Sequence, residues 1–500
     1  MKLFENPVFL THKRLVHRNG VLAAVLIATL IGFSLLAGLI SYLTDPGAFH
    51  FSSVQEAGKT FYGWVIGVEI LVLVVGGFSR VARALADDRK AGLWDSNRLT
   101  PLKPAQLIIG YWLGPALREF YMAAALAGFG LVIVLAGHLP LTLWLGTQVL
   151  IAGTALFFGL LGLLAGMAFQ RSQGILIFLV FLFAYPFSFI APSRMLTNFL
   201  LPIYGIGNLF SSRSLSETYH SNMDWNGLPE IFGVPIYPVV LSLGLQLIIG
   251  AFVWRALVRK TANPFQPLLL RWEAVALFVV LLASQHALLW DLWRGQFPMP
   301  ATNSGRNYFD RETLLPVVHG GTMVIGILLL AFASPSPEHV RVESLRLGFK
   351  NPGAIFSRSA VSLALALAVV AGAALLTQVM FSLAGSFQIF CVAAVNLLEI
   401  FLVFALLLEF CRLRHRRRAL GFVALWLFIL CIIPFILAGV FSNQAFARIS
   451  LLSPGFLALS DRNDPEWRIQ FWTLLAHFGV IVLLFIGWRR QWKKLLQKAV

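Results

Sequence analysis

Residues 61–79 read FYGWVIGVEILVLVVGGFS, and residues 80–104 read RVARALADDRKAGLWDSNRLTPLKP. The first stretch holds one charged residue, Glu69, and has about the 20 residues that a helix needs to cross the hydrocarbon core of a bilayer. The second holds six lysines and arginines, three aspartates and a Thr-Pro-Leu turn. An apolar run that ends at a basic loop is typical of a helix leaving a membrane on its cytoplasmic side.

The whole chain has the same apolar character. Of its 500 residues, 58% are hydrophobic, 12% are charged and 43 are phenylalanine. A soluble protein of this length exposes more polar and charged surface than such a composition provides. The composition therefore predicts an all-α polytopic membrane protein.

Twelve apolar runs reach or approach the length of a span, which predicts about 12 transmembrane helices. They are Val21 to Tyr42, Phe61 to Ser79, Gly114 to Gly137, Leu141 to Phe169, Gly174 to Ile190, Pro235 to Val258, Trp272 to Leu292, Leu314 to Ala333, Ser359 to Phe381, Phe387 to Phe410, Leu420 to Phe441 and Phe471 to Trp488. Glycines at close helical spacing indicate tight packing between some of these helices. They are Gly63, Gly67, Gly110, Gly114, Gly159, Gly162 and Gly166.

Lysine and arginine are unevenly distributed between the loops. With the N-terminus inside, 29 of the 39 lie in alternate loops assigned to the cytoplasm and nine in the outer loops. Because positive charge accumulates on the cytoplasmic side, we expect a multi-pass protein of the cell (inner) membrane with both termini in the cytoplasm. The net charge of +17 is then an orientation signal, and no nucleic-acid partner is expected. The first span is too long for a signal-peptide core, so we expect no cleavage after it.

Three landmarks occur in the same order in both halves of the chain. An Asn-Pro pair precedes the first and seventh spans, and a charged loop follows the second and eighth. A Trp-Arg pair lies at the cytoplasmic ends of the sixth and twelfth predicted spans. This order predicts two pseudo-symmetric six-helix halves. The predicted halves are residues 1–261 and 262–500, and their charged cytoplasmic loops are residues 80–104 and 334–358.

Each predicted half has its longest outer loop, 191–234 or 442–470, just before its last span. Both loops contain an apolar segment that is too short to span, Met195 to Gly207 and Ile449 to Leu459. These segments favour interfacial or re-entrant helices at the outer mouth. The alternative is an ordinary loop with hydrophobic anchoring.

The order of residues in loop 80–104 resembles that of type 2 ABC (ATP-binding cassette) export permeases. In that family an acidic-basic pair, a glycine, an apolar residue and an acidic residue precede a Thr-Pro-Leu turn and an apolar segment that ends in glycine. Here Asp88 and Leu93 stand where the family usually has Glu and Thr. The second loop lacks the Thr-Pro-Leu turn, so whether both loops couple equally stays open.

The resemblance implies a fused, two-unit ABC-2 permease with alternating access. Two copies of a separate ATPase, which would bind the ATP and Mg, would dock on the cytoplasmic loops. An amphipathic helix from Asp87 to Leu99 would present Leu93, Trp94 and Leu99 as apolar anchors. The alternative is that this loop lies on anionic lipid headgroups. The implied ATPase-coupling residues are Asp88, Arg89, Gly92, Leu93, Trp94, Asp95, Thr100, Pro101, Glu338, Arg341, Glu343 and Leu345.

The chain itself is expected to be a transport permease rather than an enzyme. Its one near match to a P-loop, Gly58-Lys59-Thr60, has Ser53 in place of the first glycine. The three cysteines, Cys391, Cys411 and Cys431, lie in or at the ends of predicted spans. Neither a metal-ligand motif nor a nucleophile motif occurs, so no catalytic residue, metal or cofactor is assigned to this chain.

Ionisable groups within spans are functional candidates because their burial in hydrocarbon costs several kcal/mol unless they are paired or hydrated. Glu69 and Glu399 lie near the middle of spans 2 and 10, Asn396 lies one turn before Glu399, and Arg118-Glu119 lies at the inner end of span 3. For the two glutamates, a hydrogen bond between helices and a role in transport or proton handling both stay open. We expect packing roles for His286, His319 and His477. The alternative functions are a proton-coupled secondary transporter and a polytopic enzyme acting on lipid-linked substrates.

Overall fold

The computed structural model describes fourteen stretches of the chain. They are residues 6–18, 20–44, 51, 53–168, 196–200, 203–210, 230–231, 234–263, 266–289, 311–334, 359–382, 387–415, 423 and 467–497. The chain divides into two compact units, Met1–Pro229 with Val234–Pro264, and Glu230–Gly233 with Phe265–Val500. The predicted fifth span and almost all of the eleventh lie outside the described residues.

The described residues of the first unit form helices joined by short non-helical segments, together with one two-residue strand. Its helices are α1 (Pro7–Arg18), α2 (Val21–Thr44), α3 (Val54–Ile70), α4 (Gly77–Lys90), α5 (Leu93–Arg98), α6 (Pro104–Leu113), α7 (Leu117–Ala136), α8 (Leu141–Ala168), α9 (Leu196–Leu200), α10 (Ile203–Phe210) and α11 (Pro238–Ala262). A π-helical segment, Leu71–Gly76, joins α3 to α4, and the strand is Val234–Pro235.

The second unit holds five described helices and the strand Glu230–Ile231. The helices are α12 (Arg271–Leu288), α13 (Arg311–Ala333), α14 (Ala360–Ser382), α15 (Phe387–His415) and α16 (Trp467–Gln497).

Polar side chains at the starts of some helices accept hydrogen bonds from backbone N–H groups that have no partner within the helix. Asn6 Oδ1 accepts from the N–H of Val8 at 3.1 Å, and Glu273 accepts from the N–H of Leu270 at 2.9 Å.

Seven of the described helical segments are long and apolar enough to cross a membrane. They are Val21–Thr44, Val54–Lys90, Leu117–Ala136, Leu141–Met167, Pro238–Ala262, Cys391–Arg412 and Trp472–Gln491. Two shorter apolar segments, Val318–Ala333 and Ala360–Leu376, lie in predicted spans 8 and 9. By length and composition the chain is thus a multi-pass helical membrane protein, while the predicted number of 12 spans stays a prediction.

The exposed surface of α2 fits a lipid environment. Leu22, Leu26, Leu30 and Phe33 are more than half exposed, although each would be unfavourable in water. A contiguous apolar face of this kind is rare on a soluble monomer. The same holds for the exposed Trp472 and Leu483 of α16.

Helix packing follows the same order of spans within each unit. In the first unit α2 packs on α7, the π segment and α3 pack on α7, α4 packs on α8, and α8 packs on α11. In the second unit α12 packs on α14, α13 packs on α14 and α15, and α15 packs on α16. In both units the first predicted span therefore packs on the third, the second on the third and fourth, and the fourth on the sixth. An internal repeat would produce this pattern.

Glycines allow the backbones of α4 and α8 in the first unit to approach each other closely. A Cβ added to Gly162 of α8 would lie 2.8 Å from the carbonyl oxygen of Phe78, and one added to Gly166 would lie 2.8 Å from that of Ala82. Both oxygens belong to α4, so the two backbones are in direct contact. The predicted tight packing is confirmed for this face of α8. It does not extend to Gly67, where an added Cβ meets nothing within 4 Å.

Candidate functional site

Loop 80–104 contains two helices where the sequence predicted one. We expected a single amphipathic helix from Asp87 to Leu99, but α4 ends at Lys90 and α5 begins at Leu93. Gly92 lies between them with φ of 74°, a left-handed conformation that glycine adopts without the steric cost of a Cβ. This break separates α5 from α4.

Two arginines of this loop cap the ends of other helices. Arg89 Nη1 donates to the carbonyl oxygen of Gly166 at 3.0 Å and to that of Met167, in the last turn of α8. Arg98 Nε donates to the carbonyl oxygen of Thr261 at 2.7 Å, in the last turn of α11. Carbonyl groups at a helix end have no partner within the helix, and a cation there also complements the helix dipole. The loop is thereby attached to both helices.

Tyr111 of α6 lies at the centre of a polar cluster, which we call the Tyr111 junction. Its hydroxyl donates to Asp88 Oδ2 at 2.5 Å and accepts from Asn97 Nδ2 at 3.0 Å. The rings of Trp94 and His12 each contact the Tyr111 ring edge-on, with centroids 5.2 Å apart. The Tyr111 junction, formed by His12, Asp88, Trp94, Asn97 and Tyr111, joins α1, α4, α5 and α6.

Burial changes the acid–base behaviour of two groups in the junction. Desolvation raises the pKa of Tyr111 above its usual value, and the hydrogen bond to Asp88 and the charge of that carboxylate raise it further. Desolvation lowers the pKa of His12, against a smaller opposing effect of Asp88. Tyr111 therefore stays a hydroxyl donor at neutral pH.

The three predicted apolar anchors differ in exposure. Leu93 is 53% exposed and Leu99 is 89% exposed, whereas Trp94 is 7% exposed. The ring of Trp94 packs against Tyr111 instead of facing solvent, so its expected exposed position is wrong, while its role in coupling stays a prediction. The other loop residues of the prediction, Gly92, Asp95, Thr100 and Pro101, are exposed, and Asp95 Oδ1 lies 3.4 Å from Arg98 Nη1.

The predicted coupling residues of the second loop, Glu338, Arg341, Glu343 and Leu345, lie outside the described residues. The helix ends that flank this loop are described. Arg412 of α15 donates from Nη1 to the carbonyl oxygen of Ser334 at 3.0 Å and from Nη2 to that of Ala331 at 3.2 Å. Arg271 donates from Nη2 to the carbonyl oxygen of Ser359 at 2.8 Å. Arginines thus hold both ends of this loop, as they hold the helix ends next to loop 80–104.

Buried polar groups of the first unit pair across helices. Gln148 Nε2 of α8 donates to Glu69 Oε2 of α3 at 3.0 Å, and the π segment begins two residues after Glu69. Glu119 Oε1 lies 3.2 Å from Arg80 Nε and 3.3 Å from Arg118 Nε. Arg118 and Glu119, which the sequence places at the inner end of span 3, thus form an ion contact with each other, and Arg80 joins them.

The second unit brings its predicted polar residues together. Asn396 and Glu399 of α15 are buried, as are His319 of α13 and His477 of α16. On α15, Asn396 lies one turn before Glu399, and Glu399 Oε2 lies 3.5 Å from His477 Nδ1. His286 lies apart from them, with ring nitrogens 2.7 Å from the carbonyl oxygen of Leu282 and 3.0 Å from that of Ala374.

Several residues of these sites were missed in the sequence. Tyr111 and Asn97 were not singled out, although a tyrosine in the apolar run before Gly114 and an asparagine in a charged loop are both polar groups that need a partner. Gln148 was missed in the same way, as one amide within a long apolar span. Arg412 was counted only as part of a basic loop, and its capping role depends on a contact with a helix about 80 residues away.

No protein-family model, no curated protein and no solved structure matches this chain. Within the described part of the chain, no three His, Cys, Asp or Glu side chains lie close enough to hold a metal ion.

Proposed function

We propose that this protein is the membrane-embedded permease of an ATP-driven exporter of the ABC-2 type, with both permease units in one chain. Two copies of a separate ATPase bind ATP and Mg and dock on the charged loops. The protein lies in the cell (inner) membrane with both termini and both charged loops in the cytoplasm. ATP-driven movement of the ATPase subunits alternates the access of the transported substrate.

The observation that carries this proposal is the form of loop 80–104. Leu93, at the start of α5, and Leu99, directly after its end, expose apolar side chains next to charged residues. Protein-binding patches have this arrangement. Single exposed leucines are common on protein surfaces. The two leucines are stronger evidence for a partner-binding patch because the helix beside them is attached to the rest of the unit.

That attachment gives a mechanical route from the loop into the membrane. Arg98, next to Leu99, holds the end of α11, and Arg89 holds the end of α8. Trp94, next to Leu93, packs on Tyr111 of α6, just before the third predicted span. A push on the exposed leucines therefore reaches three helices through short, polar and well-packed contacts rather than through a free loop.

Site-specific crosslinking tests the proposal directly. A photoreactive amino acid placed at Leu99 in the full-length protein, illuminated in native membranes, is expected to form an adduct with a protein that contains a P-loop ATPase domain. The control places the same probe at Leu247, which is also highly exposed but lies within a span helix. We expect only lipid adducts there.

Two results overturn the proposal. One is a Leu99 probe that forms only lipid adducts, as expected if the loop lies on headgroups. The other is a protein adduct that never contains a nucleotide-hydrolysing domain. Either result returns the protein to the alternatives of a proton-coupled transporter or an enzyme acting on lipid-linked substrates.

A further inference from the structure

Two arginines of the first unit meet at one buried carboxylate, where α4 lies beside α7. Glu119 Oε1 is 3.2 Å from Arg80 Nε and 3.3 Å from Arg118 Nε. Glu119 is buried, whereas the side chains of Arg80 and Arg118 are 46% and 31% exposed. We call these three residues the Arg80–Arg118 cluster. Its carboxylate lies inside the protein, and its two cations reach the surface.

The length of α7 gives the depth of the cluster in a bilayer. α7 has 20 residues, and a helix of that length is about 30 Å long, which is the thickness of the hydrocarbon core. Arg118 and Glu119 lie in its first turn, and Arg80 is held beside them. All three side chains therefore lie at the edge of the hydrocarbon core, next to the layer of lipid headgroups.

One face of α7 connects the cluster to a lipid-exposed surface. The exposed residues of α7 follow one another at intervals of three or four positions, so they form a single stripe along the helix. They are Tyr121, Ala124, Gly128, Val132 and Leu135. Arg118 lies one turn before Tyr121, at the end of the same stripe. Lipid tails packed along this stripe would bring their headgroup to Arg118, and a tyrosine at that level is typical of a membrane interface.

The contacts with Glu119 leave the outer ends of both guanidinium groups available. They involve the Nε atoms, and no group in the described part of the chain accepts a hydrogen bond from the Nη atoms of Arg80 or Arg118. Guanidinium N–H groups match the oxygen atoms of a phosphate in geometry and charge. Two such groups held side by side are suited to one phosphate.

The charge of the cluster favours an anion. Two guanidinium groups and one carboxylate carry a net charge of one positive unit. Arg83, one turn after Arg80 and also exposed, adds positive charge to the same side of α4. A phosphate diester carries one negative charge, so its binding would neutralise the cluster. Basic pockets at the ends of membrane helices bind anionic headgroups for this reason.

We propose that the Arg80–Arg118 cluster is a binding site for the phosphate group of an anionic phospholipid. Glu119 holds the two guanidinium groups together so that both donate to one phosphate, and the lipid tails lie along the exposed stripe of α7. The bound lipid stabilises the contact between α4 and α7 at the membrane surface. Free phosphate has the same headgroup chemistry but no tails to occupy the stripe. The site does not depend on the proposed ATPase partner.

Thermal unfolding of the full-length protein in nanodiscs measures this binding. The discs contain phosphatidylcholine with an increasing fraction of phosphatidylglycerol, and a lipid that binds only the folded protein raises the melting temperature. Arg118→Gln leaves a neutral pair of Arg80 and Glu119. We expect this variant to need at least about tenfold more phosphatidylglycerol for the same rise, because a charge-assisted hydrogen bond is lost. Arg490→Gln removes an exposed arginine of α16 and is the control, with the wild-type requirement.

Glu119→Gln distinguishes a lipid site from an ion pair with only a structural role. It leaves both arginines and raises the net charge of the cluster to two positive units. We expect a lower melting temperature in pure phosphatidylcholine and a smaller requirement for phosphatidylglycerol, opposite to the change in Arg118→Gln. A purely structural ion pair predicts that both variants lose stability alike at every lipid composition. If Glu119→Gln does not fold, the comparison of Arg118→Gln with wild type decides alone.

Equal requirements for phosphatidylglycerol in wild type and Arg118→Gln would overturn the proposal. So would an equal rise of the wild-type melting temperature when inorganic phosphate is added to discs of pure phosphatidylcholine, because the site would then bind a free anion. Neither measurement involves ATP or a partner protein. Failure of the lipid site therefore leaves the proposed function standing.

Discussion

Tyr111 is the residue on which the attachment of loop 80–104 depends most. Its hydroxyl is the donor to Asp88 and the acceptor for Asn97, and its ring contacts both Trp94 and His12. Removing the hydroxyl leaves a partly buried carboxylate without this donor. A hydrogen bond to a charged group contributes about 1.5–3 kcal/mol.

We therefore expect Tyr111→Phe to destabilise the purified protein by about 1.5–3 kcal/mol and to increase the hydrogen exchange of α5. Thermal unfolding in detergent and exchange mass spectrometry measure the two effects. Tyr237→Phe is the matched control, since Tyr237 is half exposed and its change should have little effect. Equal melting temperatures for the two variants would contradict the role of the junction.

His12 makes the packing of α1 sensitive to acid. Burial lowers its pKa in the folded protein, so a detached α1 takes up a proton more readily than an attached one. Attachment is therefore fully present above about pH 6.5, the ordinary pKa of histidine, and weakens as the pH falls toward the lowered value.

A fluorescent label at Thr11→Cys, in a background without the three native cysteines, reports the mobility of α1. We expect its anisotropy to fall on acidification below about pH 6.5, and His12→Phe, which keeps the ring contact but does not titrate, to remove this change. An identical acid response in both proteins would mean that another group controls α1.

At the scale of the helices, the contact between α4 and α8 is set by glycine. An added Cβ at Gly162 would lie 2.8 Å from the carbonyl oxygen of Phe78, and backbone atoms of a packed helix do not yield as a flexible side chain would. We expect Gly162→Ala to destabilise the protein by about 1–3 kcal/mol.

Gly244→Ala is the control for this substitution, because nothing lies within 4 Å of its added Cβ. In an open helical position the change to alanine is expected to be neutral or to stabilise by about 0.5–1 kcal/mol. Melting temperatures in the same detergent compare the two. The packing account is wrong if the two variants melt alike.

The sequence was informative about helices and less so about their contacts. Apolar runs identified the described spans because a bilayer imposes a minimum length on any crossing helix. Gly92 was recognised, but the sequence did not show that it breaks the helix between Lys90 and Leu93. The sequence predicts Trp94 as an exposed anchor on a helix from Asp87 to Leu99, whereas in the structure, after the break at Gly92, its ring packs on Tyr111. Pairs such as Arg98 with Thr261 join positions 163 residues apart, and local patterns do not contain such pairings.

At the scale of the whole molecule, the positive-inside rule can be compared with the packing of the first unit. The segments that the rule places on one side of the membrane lie at the same end of this unit. α1, loop 80–104 and the ends of α8 and α11 are connected by hydrogen bonds or ring contacts. Gly58 of α3 and Gly137, directly after α7, approach each other at the opposite end of the unit. A Cβ added to either glycine would lie within 2.9 Å of the Cα of the other. From the positive-inside rule we predict that the first end faces the cytoplasm.

Single cysteines at Ser96 and His138, both exposed, test this orientation in a background without native cysteines. A membrane-impermeant maleimide should label His138→Cys in intact cells and Ser96→Cys only in inside-out vesicles. Labelling of both from the same side would refute the topology.

We propose that force from a nucleotide-hydrolysing partner enters the protein through Leu93 and Leu99. Full-length tagged protein purified from native membranes, assayed for ATP hydrolysis, tests it most directly. We predict that ATP hydrolysis co-elutes with the wild-type protein. It should fall at least about tenfold in Leu93→Asp/Leu99→Asp, which corresponds to a loss of about 1.4 kcal/mol or more in partner binding. It should persist in the control Ala262→Asp, which adds an acidic group at an exposed helix end. Co-elution of the same activity with the double variant, or no hydrolysis with the wild-type protein, would contradict the claim.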